Sequence, residues 1–403
     1  MVTQNPREIQ KQRKRGVIAV QVAVILAVLV GFAALTIDVG AMYNTRADLQ
    51  RSVDAAALAG AAAYTTDEMM QVRMNPDDAD ALGYVVSLAN ELATDGAAWN
   101  PSLGTTTTSV DNGDILTGWI NLNSTSETIH TNPQPNEYNA VQVFLRRQLS
   151  EQEGANPPIA LFFARIFGKQ YAETATTAVA AFDDRFSGIS VSEPGAGFLP
   201  FTIHEDAFAS ELAFGGDQYG WDPDTETVYE GADGIREIRL YPYPLSGDPD
   251  SWGDGNFGVL NIGSTDQGLL QLRDQIMNGV SAEDLEAEIG TSNPTFYDDD
   301  GNPITYDITG SPGLDAGLVD AIESIEGQIV GFFLHNDVIL SGANSIYTIT
   351  AIRFGRLMDI RLYGAPDTRG LYIQPAIYAG GNVQVDEDAP SSGGLVGRLV
   401  LVR

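Results

Sequence analysis

The chain has 403 residues, 43% of them hydrophobic, with 22 Lys and Arg against 54 Asp and Glu, three histidines and no cysteine. Without cysteine there is no disulfide framework, no thiol chemistry and no thiolate metal site. Five bases, Arg7, Lys11, Arg13, Lys14 and Arg15, fall in the first 15 residues and leave 17 bases against 53 acids on the rest, a surface that repels nucleic acid and anionic lipid headgroups.

The basic segment, residues 1–15, runs into an uncharged apolar stretch from Gly16 to Ile37. As a helix these residues are about 33 Å long, enough to cross a hydrocarbon core of roughly 30 Å. A cleaved secretory leader is the alternative, but its apolar region is usually about 7–15 residues, so the stretch is read as a retained transmembrane helix. Positive charge on one flank predicts a cytoplasmic N-terminus and an exported bulk.

Residues 38–65 lack proline and are rich in helix formers, which predicts that the anchor helix continues outward as a stalk. Leu49, Val53, Ala56 and Gly60 share one face, while Arg46, Asp48, Arg51 and Asp54 lie largely elsewhere. That stripe fits packing on the chain's own fold or on another subunit. A helix is expected near Asp77–Thr94, strands at Ile115–Leu122, Asn139–Gln148 and Tyr171–Phe182, and between the last two a short helix, Ile159–Phe167, opened by Pro158 and stopped by Gly168. Residues 66–186 thus read as an α+β head.

A cluster of Gly, Ser and Pro at Phe186–Gly197 marks a domain boundary. Residues 187–403 are acidic and strand-rich, with an acidic, glycine-rich insertion at Asp217–Asp254. Strands are expected at Phe198–Ile203, Arg236–Tyr241, Gly255–Ile262, Gln328–Leu334, Tyr347–Phe354, Leu357–Tyr363, Gly370–Tyr378 and Leu395–Val402, with helices at Gln267–Met277 and Ala282–Ile289. The fold class is α+β: one transmembrane helix extending into a stalk, an α+β head and a second mixed, strand-rich domain.

The stretch Arg13–Ala63 carries basic residues before Gly16, the apolar span, Asp38-Val39-Gly40, Tyr43, Arg46, Leu49-Gln50 and Asp54-Ala55-Ala56-Ala57-Leu58-Ala59-Gly60-Ala61. Together these resemble the N-terminal region of TadG-like proteins of the Tad (Flp, tight-adherence) pilus-assembly system. The similarity continues more loosely through Ala140–Val143, Leu161–Gly168 and Thr174–Ala181, and in patches such as Trp252–Gly263. The resemblance implies a role in building or anchoring a surface pilus or in export, from the bacterial inner membrane, with pilus-assembly or pilin-like proteins as partners. Some larger relatives carry a von Willebrand type A domain with an Asp-x-Ser-x-Ser metal loop; this sequence has no such triplet. Gly16 also invites prepilin processing, but the fifth residue from Val17 is Gln21, where pilins normally have a glutamate whose charge pairs in low dielectric.

His130, His204 and His335 have no second ligand at helical zinc-site spacing. Neither a G-x-S-x-G elbow nor a phosphate-cradling G-x-x-x-x-G-K-[ST] loop is present, and Gly255-Asn256-Phe257-Gly258 is too weak a pattern for a nucleotide. Paired carboxylates are expected by chance among 54 acids and nominate no hydrolase. Asp248, Asp250 and Asp254, and Asp298 and Asp300, supply hard oxygen ligands on turn-forming backbone, as calcium prefers; neither set fits an EF-hand, so solvated turns are the favoured reading and a calcium site the alternative.

The sequence therefore reads as a non-enzymatic, single-pass component of a Tad/Flp-type pilus assembly or secretion apparatus, working through protein contacts outside the cytoplasm. The alternative is a minor pilin or surface adhesin whose C-terminal domain is a binding head, with Trp221 and Trp252 available to stack on sugar rings. No catalytic or cofactor-binding residue is nominated, and the small-molecule ligand, if any, is unknown.

Overall fold

The computed structural model describes residues 6–101, 114–123, 128–148, 156–191, 197–240, 257–263, 268–298, 300–312, 314–341, 344–363 and 368–402. It is an α+β protein that opens with one long apolar helix, α1 (Pro6–Ala61), which ends in a 3-10 turn, Ala62–Thr65. Helices α2 (Asp67–Met74) and α3 (Ala79–Trp99) follow. Strands β1 (Ile115–Gly118), β2 (Ala140–Arg147), β3 (Ile159–Ala160), β4 (Tyr171–Ala172), β5 (Thr174–Asp183) and β6 (Phe186–Ile189) come next.

Then come β7 (Phe198–His204), α4 (Glu205–Phe214), β8 (Tyr219–Asp222), β9 (Thr227–Glu230), β10 (Ile238–Leu240), β11 (Phe257–Leu260), α5 (Leu269–Asn278) and α6 (Ala282–Ile289). The chain continues through β12 (Tyr306–Ser311), α7 (Val319–Glu323), β13 (Ile329–Ile339), β14 (Ser345–Arg361), β15 (Gly370–Pro375), β16 (Tyr378–Ala379), β17 (Val383–Val385) and β18 (Val396–Val402). Helix α6 shows how local chemistry sets its limits. Ser281 and Asp284 form a reciprocal capping box at its start, and Gly290 ends it at φ 78°, a left-handed geometry that favours glycine.

By its contacts the chain divides into two compact units: Met1–Ala57, Ala93–Ile115 and Gln142–Ala178 in the first, Leu58–Leu92, Leu116–Val141 and Val179–Arg403 in the second. In the first unit, α1 from Val20 to Ile37 has no buried residue except Ala34. Beyond it Asp38, Thr45, Leu49, Val53 and Ala56 are buried along one face. Thr45 spends its hydroxyl on the Ala41 carbonyl at 2.7 Å, so it can face the interior without an unsatisfied donor. The stripe expected from Leu49 onward is thus buried in the chain's own fold, and it begins three turns earlier than its apolar residues indicate.

The segment Ile159–Phe167 is not one helix. Ile159 and Ala160 pair antiparallel with Ala172 and Tyr171, the connecting loop is closed by Leu161 N–H donating to the Gln170 carbonyl at 3.0 Å, and only Ala164–Phe167 forms a 3-10 turn. Gly168, left-handed at φ 80°, ends the turn as expected. The β3–β4 pairing removes Ile159 and Ala160 from any helix, and a segment this short makes only a marginal helix without them.

In the second unit, seven strands form a sheet in the order β10-β15-β14-β12-β11-β7-β13, and β13 also pairs with β14. That extra pairing closes β14, β12, β11, β7 and β13 into a ring, which leaves no free edge among the five. Tyr347–Phe354 and Leu357–Tyr363, expected as two strands, fall on the single 17-residue β14, which ends at Arg361 and pairs with β12, β13 and β15. Phe201, Phe257, Phe332 and Tyr347 are fully or almost fully buried in this unit. Gly258 is required by that packing, because a Cβ there would run into the Tyr347 ring. The glycine of the Gly255–Gly258 pattern serves a close side-chain approach.

Candidate functional site

Asp38 is the first charged residue after the apolar span, and its carboxylate is 3% exposed. A buried carboxylate is costly unless hydrogen bonds replace its water. Here three consecutive backbone N–H groups do so. Phe162 donates to Oδ1 at 2.8 Å, Phe163 to Oδ2 at 3.0 Å and Ala164 to Oδ2 at 2.7 Å. These are donors at the start of the 3-10 turn Ala164–Phe167, so Asp38 caps that turn from a distant part of the chain. Burial on its own would raise the carboxyl, but the three N–H donors and Arg165 outweigh it and hold Asp38 below the usual carboxylate range.

The other positions of the N-terminal motif lie along the same helix. Gly16 is in its first half. Gly40, Tyr43 and Arg46 are exposed, and Gly40 has open space where a Cβ would stand; nothing in the structure explains a glycine at that position. Leu49 and Gly60 are buried. Gln50 donates to Asp54 Oδ1 at 2.7 Å and accepts from the Thr176 hydroxyl, which ties the helix to β5. The motif thus divides into residues that hold α1 in the fold, Asp38, Leu49, Gln50 and Gly60, and residues left on the surface. Sequence reasoning singled out both Asp38 and Leu161–Gly168 but did not pair them. The available signal was spacing: Asp38, Thr45 and Leu49 share a helical face.

Two places in the second unit were also candidates. A cavity of about 690 Å³ is lined by Met70, Arg73, Phe208, Leu212 and Arg353, among others. Nε of Arg73 and Nε of Arg353 are buried there without a hydrogen-bond partner among the described residues. Burial lowers Arg73 to about 10, with Asp184 pulling the other way, and burial likewise lowers Arg353, against Tyr297 and Glu205. Such a cavity can accept an anionic group beside apolar surface.

Of the three histidines, His204 and His335 meet edge to face with ring centroids 5.3 Å apart. His335 is fully buried and 2.9 Å from the Thr202 hydroxyl, and His204 caps α4 by accepting from Asp206 N–H at 3.2 Å. Among the described residues no three His, Asp or Glu side chains converge as a metal site needs. Asp298 accepts from Asp300 and Asn302 backbone N–H groups within its own turn, with Asp300 in the same turn, whereas Asp248, Asp250 and Asp254 lie outside the described residues, as do Trp252 and the rest of residues 252–256 in the Trp252–Gly263 patch. Trp221 carries the Arg356 guanidinium over its ring at 4.1 Å, so one face is not available for a sugar.

The fold defines a class: an α+β protein with, among the described residues, a single helix long and apolar enough to cross a membrane, at the N-terminus, none of its most apolar window buried. Residues 16–63 match the family model described as "Putative Flp pilus-assembly TadE/G-like", the region in which Asp38 and the buried stripe lie. No curated protein and no solved structure matched the chain. The matched region and the apolar helix together fit a membrane-anchored pilus-assembly component.

Proposed function

We propose that this chain is a non-enzymatic component of a Tad/Flp-type pilus assembly or secretion apparatus, held in the bacterial inner membrane by residues 16–37 and working outside the cytoplasm through contacts with other pilus-assembly or pilin-like proteins. The observation that carries this reading is the position of the family match, which covers the apolar helix and the residues that fasten it to the fold. The basic residues 7–15 set the orientation, because Lys and Arg on one flank of a span are retained on the cytoplasmic side.

A periplasmically active reporter fused after Arg403 tests orientation, and alkaline extraction of membranes tests anchoring. Signal from the exported side and resistance to extraction are expected; a reporter active only in the cytoplasm overturns the reading. The second reading, a minor pilin or adhesin with a binding head, draws its support from the arginine-lined cavity in the second unit. Mass-spectrometric reading of the mature N-terminus separates the two, since a chain beginning at Val17 and recovered in sheared fibres is a pilin.

A further inference from the structure

We propose that the hairpin tip Leu161–Gly168 is a second membrane contact, in which Phe162, Ile166 and Phe167 insert into the interfacial layer of the bilayer on the side where the span emerges. The inference rests on the reading that residues 16–37 cross the membrane, and goes beyond it by adding a contact that does not span.

Three observations carry it. The first is height. Asp38 directly follows the span, and its hydrogen bonds to Phe162, Phe163 and Ala164 fix the tip at that level. Ala34, three residues or about 4.5 Å inside the span, is already buried. Protein therefore reaches below the end of the apolar segment on that helix face.

The second is exposure. Phe162, Ile166 and Phe167 are 69%, 80% and 86% exposed, three large apolar side chains within six residues and on a rigid, capped turn. Tyr43 on α1 and Tyr171 beside the tip are exposed too. Aromatic side chains collect where a span leaves the hydrocarbon, since their rings are apolar and their edges tolerate headgroups. In water the same set would be an unprotected sticky patch.

The third is charge. The exported chain is strongly acidic and its surface at large is repelled by anionic headgroups, but Arg165 in the tip and Lys169 just after it are both exposed, against one exposed acid, Glu173, close by, and the nearby Asp38 is buried and hydrogen-bonded to three N–H groups. Long basic side chains flanking inserted aromatics can reach lipid phosphates. The tip is thus a local exception suited to phospholipid, with insertion driven by the apolar residues.

The absence of cysteine makes a direct measurement possible. In full-length protein reconstituted into phosphatidylcholine vesicles, Phe167→Cys and Leu29→Cys are each labelled with an environment-sensitive fluorophore, and quenched in turn by aqueous iodide, headgroup-labelled lipid and mid-chain-labelled lipid. The label at 29 is expected to respond to mid-chain quencher, and the label at 167 to lose about half of its emission to headgroup quencher with little response to iodide, as an interfacial position would. A label at 29 within lipid with a label at 167 open to iodide sinks the wedge and leaves the anchor standing. A label at 29 open to iodide removes the anchor, and the wedge with it. A label at 167 shielded from all three quenchers shows the tip in a protein contact and likewise overturns the proposal.

Discussion

Asp38 and Ala164, 126 positions apart in sequence, are joined by a 2.7 Å hydrogen bond from backbone N–H to carboxylate. One end of that bond stands where the apolar helix stops, the other at the first residue of a 3-10 turn. The contact makes the long apolar helix part of a folded unit at the point where its apolar stretch ends.

Replacing Asp38 with asparagine leaves one acceptor oxygen for three donors and removes the charge that strengthens each bond. Amide exchange at Phe162, Phe163 and Ala164 is expected to quicken about tenfold or more, with the closed strand ring of the second unit unchanged. Because Asp38 is held below the usual carboxylate range, the wild-type tip is protected above that range and loses protection as acid protonates the group. Hydrogen exchange by mass spectrometry, corrected for intrinsic rates, checks both statements.

Leu49 is fully buried on α1. Leu49→Ala should cost about 2–5 kcal/mol in detergent-solubilised protein, whereas Tyr43→Ala, at an exposed site of the same helix, should stay within about 0.5 kcal/mol of wild type. Denaturant titration followed by circular dichroism distinguishes them. Equal stability of the two variants would mean that the stripe serves another subunit instead of the chain's own core.

Burial pushes Glu237 up to about 7, against the pull of the Gln218 and Tyr219 N–H groups that donate to it at 2.8 and 3.0 Å, and Asp217 adds to the rise. The folded state then holds this proton where the unfolded state has lost it, so stability falls as pH rises from the ordinary glutamate value to about 7 and levels off above. Melting temperatures measured from pH 5 to pH 8 should decline. Glu237→Gln should flatten the decline, with its largest gain over wild type at pH 8.

Gly258 lies against the Tyr347 ring. Gly258→Ala should destabilise the second unit by about 1–3 kcal/mol through overpacking, and Tyr347→Leu in the same chain should recover part of the loss by making room. A full-sized loss in both variants would place the cost in the backbone instead of the contact. Thermal unfolding followed in the near ultraviolet reads the difference.

Much of the local structure was legible because its causes are local. The apolar run with its basic flank and the proline-free continuation set α1; Ser281, Asp284 and Gly290 set α6, which spans the expected residues. Other elements were not. Helix α4, the β8–β9 hairpin and β12 gave no clear period, and β14 was broken in two by the glycine at 355, which lies against Ile373 and Gln374 of the paired strand β15. A glycine selected for close strand approach and a glycine selected for a turn look alike in one dimension.

The same limit applies to the site. Composition and order of residues by themselves determined that a span is followed at once by an acid, because hydrophobic length and charge are summed along the chain. Only the tertiary structure decided what that acid does. Whether a carboxylate faces water or three backbone N–H groups depends on which distant segment is brought against it, and a hydrogen bond acts over about 3 Å in space whatever the separation in sequence.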